Sequence, residues 1–163
     1  AEELEAVLTK VEAYESAFQT GNATLDIILT EKKMLCQQEK ISFSCMADGV
    51  ALEFMNELDL ASLFGNSLDN AIEQERKEAV EKRYIFLKVQ RNGMLVSIRI
   101  ENYCEIFPEI SADGLPAASS KKDAVFHGYG TKSMQYVVEK YGGNFRISRE
   151  GKLFVVSMLF PMS

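Results

Sequence analysis

The sequence predicts a two-layer α/β sandwich of the α+β class, with one mixed sheet and helices on one of its faces. Three observations carry this. Apolar periodicity runs in the order helix, helix, short strands, helix, hairpin, long loop, helix, hairpin, which is not the regular alternation of a parallel βαβ fold. Two hairpin signals, Asn92-Gly93 and Glu150-Gly151, separate runs of apolar and β-branched residues. The chain has 163 residues, 47% of them hydrophobic and 26% charged. That fits one globular domain, able to bury roughly two thirds of its unfolded surface without a disulfide or metal staple.

Glu2 to Phe18 reads as a charged helix with a narrow seam of Leu4, Val7, Leu8, Val11 and Tyr14. Thr20-Gly21-Asn22 breaks it, with Gly21 in the position after the helix end. A second helix is predicted over Ala23–Glu39, with Leu25, Ile28, Leu29, Lys32 and Leu35 on one side. Ile41–Met46 and Ala51–Phe54 alternate weakly and read as two short strands. Asp59 is the predicted N-cap of a long helix ending near Val80. Strands follow at Tyr84–Gln90 and Met94–Glu101. Tyr103 to His127 has no periodicity, contains two of the three prolines, and reads as a lid over about 103–127. Thr131–Tyr141 is a predicted helix with Met134, Val137, Val138 and Tyr141 inward, and Asn144–Arg149 with Lys152–Phe160 closes the chain as a hairpin.

Eighteen Lys and Arg against 24 Asp and Glu give a net charge of −6. With no basic tract, the balance argues against nucleic acid and anionic membrane surfaces as partners. The three cysteines, Cys36, Cys45 and Cys104, are odd in number and far apart, which fits a reducing, cytoplasmic setting and excludes the Cys pairs of a zinc site. No run reaches the length of a membrane span. The chain opens at Ala1 directly in a helical pattern and reads as part of something longer.

Three groups of residues point to chemistry. On the helix after Asp59, Leu60, Phe64, Leu68, Ala71 and Ile72 share one face, and Asn66, Asp69, Asn70 and Glu73 share the other. Asn and Asp are poor mid-helix residues, and oxygen-bearing side chains on neighbouring turns suit a hard cation with its waters. An ordinary solvated face is the alternative reading. His127-Gly128-Tyr129-Gly130-Thr131-Lys132 runs into a helix. Its glycines allow close backbone approach, the helix start offers free N–H groups to phosphate, and Lys132 adds a charge. Alone, a loop without ligand is the plainer reading of it, and it is neither a P-loop nor a dinucleotide fingerprint. Asn102 ends a strand just before the lid, where an amide that donates and accepts suits an adenine edge. An Asx turn is the plainer reading.

Their order along the chain resembles the ATP-binding catalytic domain of sensor histidine kinases, in the GHKL superfamily with its Bergerat ATP-binding fold. It is most similar to the peptide-quorum-sensing group. The resemblance rests on Thr20-Gly21-Asn22 through Leu29, on Gly65-Asn66-Ser67-Leu68-Asp69-Asn70-Ala71-Ile72-Glu73, on Ser120-Lys121-Lys122-Asp123, on His127 through Ser133, and on Val138-Glu139-Lys140-Tyr141-Gly142-Gly143. It implies ATP and Mg²⁺ as cofactors, with Asn70 as the metal ligand. Asn66 stands where ATP-hydrolysing relatives carry a Glu base, which fits phosphoryl transfer to protein instead of water. Asn102 stands where most histidine kinases use an Asp on adenine. Gly128 and Gly130 correspond to the second glycine box, while Asn102-Tyr103-Cys104-Glu105 replaces the first. Glu73 occupies the position of a phosphate-facing Lys or Arg, a charge that Lys121, Lys122 or Lys132 would supply.

The resemblance further implies a division into the end of a dimerisation helix (1–20) and the ATP-binding domain (21–163). The phosphoacceptor His would lie in an upstream dimerisation region of a homodimeric, membrane-bound sensor, and a response regulator would receive the phosphate. The single histidine, His127, lies against the Gly-x-Gly segment and reads as a lid hinge or phosphate-side residue, not as that acceptor. A nucleotide-binding interaction module and a serine kinase of the anti-sigma-factor type are the alternatives.

Overall fold

The computed structural model describes residues 2–6, 18–110 and 121–163, with the backbone course alone for 121–130. Residues 2–6 are helical, and residues 7–17 of the predicted first helix lie outside the described residues. Helix α1 spans Ala23–Gln38. Its N-cap is Asn22, whose side chain accepts from the Leu25 N–H at 3.0 Å. Thr20 donates to Asp26 Oδ1 through its hydroxyl at 2.6 Å and its N–H at 2.9 Å, so the entry turn and the first helical turn hold each other. Gly21 sits between them at φ 94°, a left-handed conformation that glycine adopts without cost.

Strand β1 (Ser42–Ala47) is followed by a 3₁₀ turn, Gly49–Leu52, and not by the strand predicted over Ala51–Phe54. Ala51, Leu52 and Met55 are the buried apolar side chains here. That spacing belongs to a turn of helix and not to a pleat. Helix α2 (Glu57–Arg76) comes next, then β2 (Tyr84–Asn92) and β3 (Leu95–Tyr103), joined through Gly93 at φ 61°. Helix α3 (Lys121–Lys140) leads into β4 (Asn144–Glu150) and β5 (Leu153–Pro161).

The five strands form one mixed sheet in the order β1-β2-β3-β5-β4. β1 runs parallel to β2, with α2 as the crossover, and the other neighbours are antiparallel. Ile85, Leu87 and Val89 on β2 oppose Asn102, Ile100 and Ile98 on β3, and all six are buried. The alternation marks one covered sheet face. Above it Leu25 and Leu29 of α1, Leu60, Phe64, Leu68 and Ile72 of α2, and Met134, Val137 and Val138 of α3 complete a single core. The mixed sheet with helices is the expected fold class.

Candidate functional site

Helix α2 carries most of the site. It starts three residues earlier than predicted in its capping: Asn56 is the N-cap and accepts from the Asp59 N–H at 2.8 Å. Asp59 itself accepts from the Lys140 ammonium at 2.8 Å and the Tyr141 hydroxyl at 2.5 Å, and these bonds hold its carboxyl below the usual range. The Tyr141 hydroxyl also accepts from the Asn56 N–H at 3.1 Å. The helix ends at Arg76, short of Val80, where a separate 3₁₀ turn begins.

Along α2 the predicted apolar stripe is buried, and the polar set divides. Asp69 turns toward α1 and pairs with Lys32 at 2.7 Å. Asn66, Asn70 and Glu73, spaced i, i+4 and i+7, form a half-buried row. Asn66 Nδ2 donates to Ser62 Oγ at 3.3 Å. Asn70 has no hydrogen-bond partner among the described residues. Glu73 Oε2 is sealed from solvent without a partner among the described residues. An oxygen of this kind is costly unless something else meets it. Two amides and a carboxylate with an unused oxygen are a donor set that fits a hard divalent cation and its waters.

Two residues beyond this row lies a carboxylate that the sequence pattern did not mark. Glu75 is fully buried, at 0% exposure. Its Oε1 accepts from the Tyr84 N–H at 2.9 Å and its Oε2 from Asn102 Nδ2 at 3.2 Å. Burial pushes its carboxyl up to about 7, with the Tyr84 N–H and Asn102 amide opposing and Glu78 adding to the rise. Glu75 lies in register with Leu68, Ala71 and Ile72. A carboxylate on the apolar stripe was the signal that could have found it.

Asn102, at 3% exposure, lies on the covered sheet face opposite Ile85 and Phe154. It is not an Asx turn that starts a loop, because β3 continues through Tyr103. Its Nδ2 also donates to the Tyr103 carbonyl at 3.1 Å. The Glu75–Asn102 bond fixes the end of β3 five residues beyond Asn70, about 7.5 Å of helical rise.

Helix α3 runs antiparallel to α2. Tyr141 and Lys140 meet Asp59 near the start of α2, and Ser67 Oγ lies 2.8 Å from Met134 Sδ. The direction carries the earlier part of α3 toward the end of α2 that holds Asn70 and Glu73. Here the helix expected over Thr131–Tyr141 is corrected in its start. The helix begins at Lys121, not Thr131, so Lys121, Lys122, His127, Gly128, Tyr129 and Gly130 lie on its backbone course. Lys121 to Phe126 contains no proline to stop the helix. The side chains of 121–130 lie outside the described residues, as do residues 111–120 of the predicted lid. Thr131 is buried and Lys132 is exposed.

Several comparisons bear on this arrangement. The sequence model of the GHKL domain matches residues 55–161, a span that holds α2, the sheet from β2 onward and α3. No curated protein matches by sequence. Among solved structures, the histidine kinase AdeS of Acinetobacter baumannii superposes with a TM-score of 0.58 at 12% identity, covering 99% of this chain and 81% of that one. The catalytic domain of histidine kinase ThkA superposes with a TM-score of 0.62 at 16% identity, covering 85% of this chain and 94% of that one. A second structure of the same ThkA domain gives 0.61 at 14% identity over 85% and 90%. At these identities the superpositions speak for the fold, and the matched sequence model speaks for the family: the chain belongs to the GHKL domain family, with the fold of histidine kinase catalytic domains.

Proposed function

We propose that this chain is the ATP-binding catalytic domain of a sensor histidine kinase, of the kind used in peptide quorum sensing. It transfers the γ-phosphoryl group of ATP to a His in an upstream dimerisation region, for relay to a response regulator. On this reading residues 1–20 end a dimerisation helix, 21–163 bind nucleotide, and the domain works on the cytoplasmic side of a homodimeric sensor. Among the described residues no helix is long and apolar enough to cross a membrane.

The observation that carries the reading is the row Asn66, Asn70 and Glu73 with its orphaned carboxylate oxygen, on the same helix as Glu75, which holds the buried Asn102. Asn70, assisted by Glu73, would hold Mg²⁺, which when bound with nucleotide neutralises charge on the phosphate oxygens. Asn66 has no basicity to offer, so water beside it is not deprotonated and hydrolysis does not compete with transfer. Asn102 presents a carbonyl oxygen to the purine amino group. Lys132, with Lys121 and Lys122, would balance the phosphate charge, and the Gly128–Thr131 backbone would approach the phosphates. His127 then serves the nucleotide side.

The test is a phosphotransfer assay with labelled ATP, the dimerisation region with its His, and Asn70→Ala. The expected result is transfer by the parent and loss of at least about a hundredfold in the variant, with the fold intact by circular dichroism. Undiminished transfer would sink the metal assignment. ATP binding without transfer would instead mark a nucleotide-binding module, the reading favoured by the Glu73 carboxylate where a Lys or Arg is expected.

A further inference from the structure

The orientation of the Asn102 amide is over-determined. Nδ2 lies 3.2 Å from Glu75 Oε2 and 3.1 Å from the Tyr103 carbonyl oxygen. The Tyr103 carbonyl only accepts, and the ionised Glu75 carboxylate does the same, so the nitrogen and not the oxygen faces them. Oδ1 is then turned away, and it accepts no hydrogen bond among the described residues. Glu75 cannot swivel to relax this, because its other oxygen is held by the Tyr84 N–H at 2.9 Å and the whole side chain is buried.

We propose that Glu75 is the positioning residue that sets base selectivity: it holds Asn102 with the carbonyl oxygen outward, so that the site accepts from a 6-amino purine and rejects a 6-oxo purine. The proposal rests on the reading above that Asn102 meets the base. An Asp, acceptor at both oxygens, needs no such orientation. An Asn does, since rotating its amide by half a turn exchanges acceptor for donor while the shape stays the same. With oxygen outward, the adenine amino group is matched, and the carbonyl of hypoxanthine or guanine meets a second acceptor.

Glu75→Gln sets the two partners of the Asn102 nitrogen against each other. The Tyr84 N–H keeps the amide oxygen of the new side chain, so its NH₂ points at Asn102 and demands an acceptor. The Tyr103 carbonyl still demands the nitrogen, so the two partners now conflict and Asn102 loses its single orientation. A defect of packing alone would weaken all nucleotides together and leave their ratio unchanged.

The experiment titrates ATP and inosine triphosphate against the parent chain, Glu75→Gln and Asn102→Leu. At pH 8, where Glu75 is ionised, the parent is expected to prefer ATP, Asn102→Leu to bind the two within about twofold of each other, and Glu75→Gln to move the ratio toward the inosine nucleotide by about threefold or more. A parental ratio in Glu75→Gln, together with a lost preference in Asn102→Leu, overturns the role of Glu75 while leaving base reading by Asn102 in place. A parental ratio in Asn102→Leu removes the base-reading premise, and the proposal falls with it. Should Glu75→Gln fail to fold, the side-chain amide protons of Asn102 in the parent decide. They are expected to exchange slowly before ATP is added and to stay unchanged after. Protection that first appears with ATP would show the nitrogen facing the base and overturn the proposal.

Discussion

Glu75 couples stability to pH with an unusual sign. Its folded-state value of about 7 lies above the ordinary 4.5, so between those values the folded chain keeps a proton that the unfolded chain has released. The stabilising contribution is complete below about 4.5 and is lost as pH rises through 7. The full span is on the order of 3 kcal/mol. Glu78 and the Cys36 and Cys104 thiols are its titratable neighbours, and both thiols stay protonated across this range. Urea midpoints from pH 5 to 8 should fall more steeply in the parent than in Glu75→Gln, and equal slopes would refute the assignment. At this scale the sequence showed Asn66, Asn70 and Asn102, because amides in a helix middle or at a strand end stand out against their surroundings. Glu75 was hidden by its partners: Tyr84 and Asn102 lie 9 and 27 residues away in sequence, and nothing local marks a carboxylate that long-range bonds will satisfy.

Two joints between elements make separable predictions. Gly49 is buried beneath the Thr20–Asn22 turn, and a Cβ there would lie 2.3 Å from Thr20 Oγ1 and 2.9 Å from the Asn22 nitrogen. Gly49→Ala should therefore cost about 1–3 kcal/mol in chemical denaturation, because backbone must shift; a neutral result would mean the turn is free to move. At the other end, Tyr141→Phe removes a hydroxyl that ties α3 to Asp59 and the Asn56 N–H. A melting temperature lower by roughly 2–4 °C is expected, with no change in nucleotide selectivity. The Asn92-Gly93 and Glu150-Gly151 hairpins and the periodicity of α1 and α2 were legible because their signals are local. The cap was displaced from Asp59 to Asn56 because Asp59 is claimed by Lys140 and Tyr141, some eighty residues later. The start of α3 was misplaced because glycines were read as a helix boundary, whereas the backbone carries the helix through them.

Over the whole molecule, helix content and the two hairpins were readable, but the sheet order was not. The parallel pairing of β1 with β2 joins Ser42 to Tyr84 across the entire length of α2, and no residue of β1 announces that partner. The one histidine, His127, lies on the course of α3. Incubating this chain alone with Mg²⁺ and ATP should accordingly leave no acid-labile phosphate on it, and a phosphorylated His127 would contradict its place on the nucleotide side.

The three cysteines have a consequence of another kind. Cys36 lies on α1, Cys45 on β1 and Cys104 just after β3. Burial pushes the first two thiols up to about 12 and about 11, and raises the third as well. Thiolate, the species that alkylating agents attack, is therefore scarce in the closed molecule. At the buried Cys36 and Cys104 labelling must wait for the segment to open, while at the half-buried Cys45 the raised thiol slows it, so the three sulfurs report separately on the helix, the edge strand and the strand end. Cys104 sits two residues from Asn102, and its N–H donates to the Lys152 carbonyl at 2.8 Å. Its labelling should run faster when the Glu75–Asn102 bond is cut, while labelling at Cys45, on the sheet edge, keeps its rate.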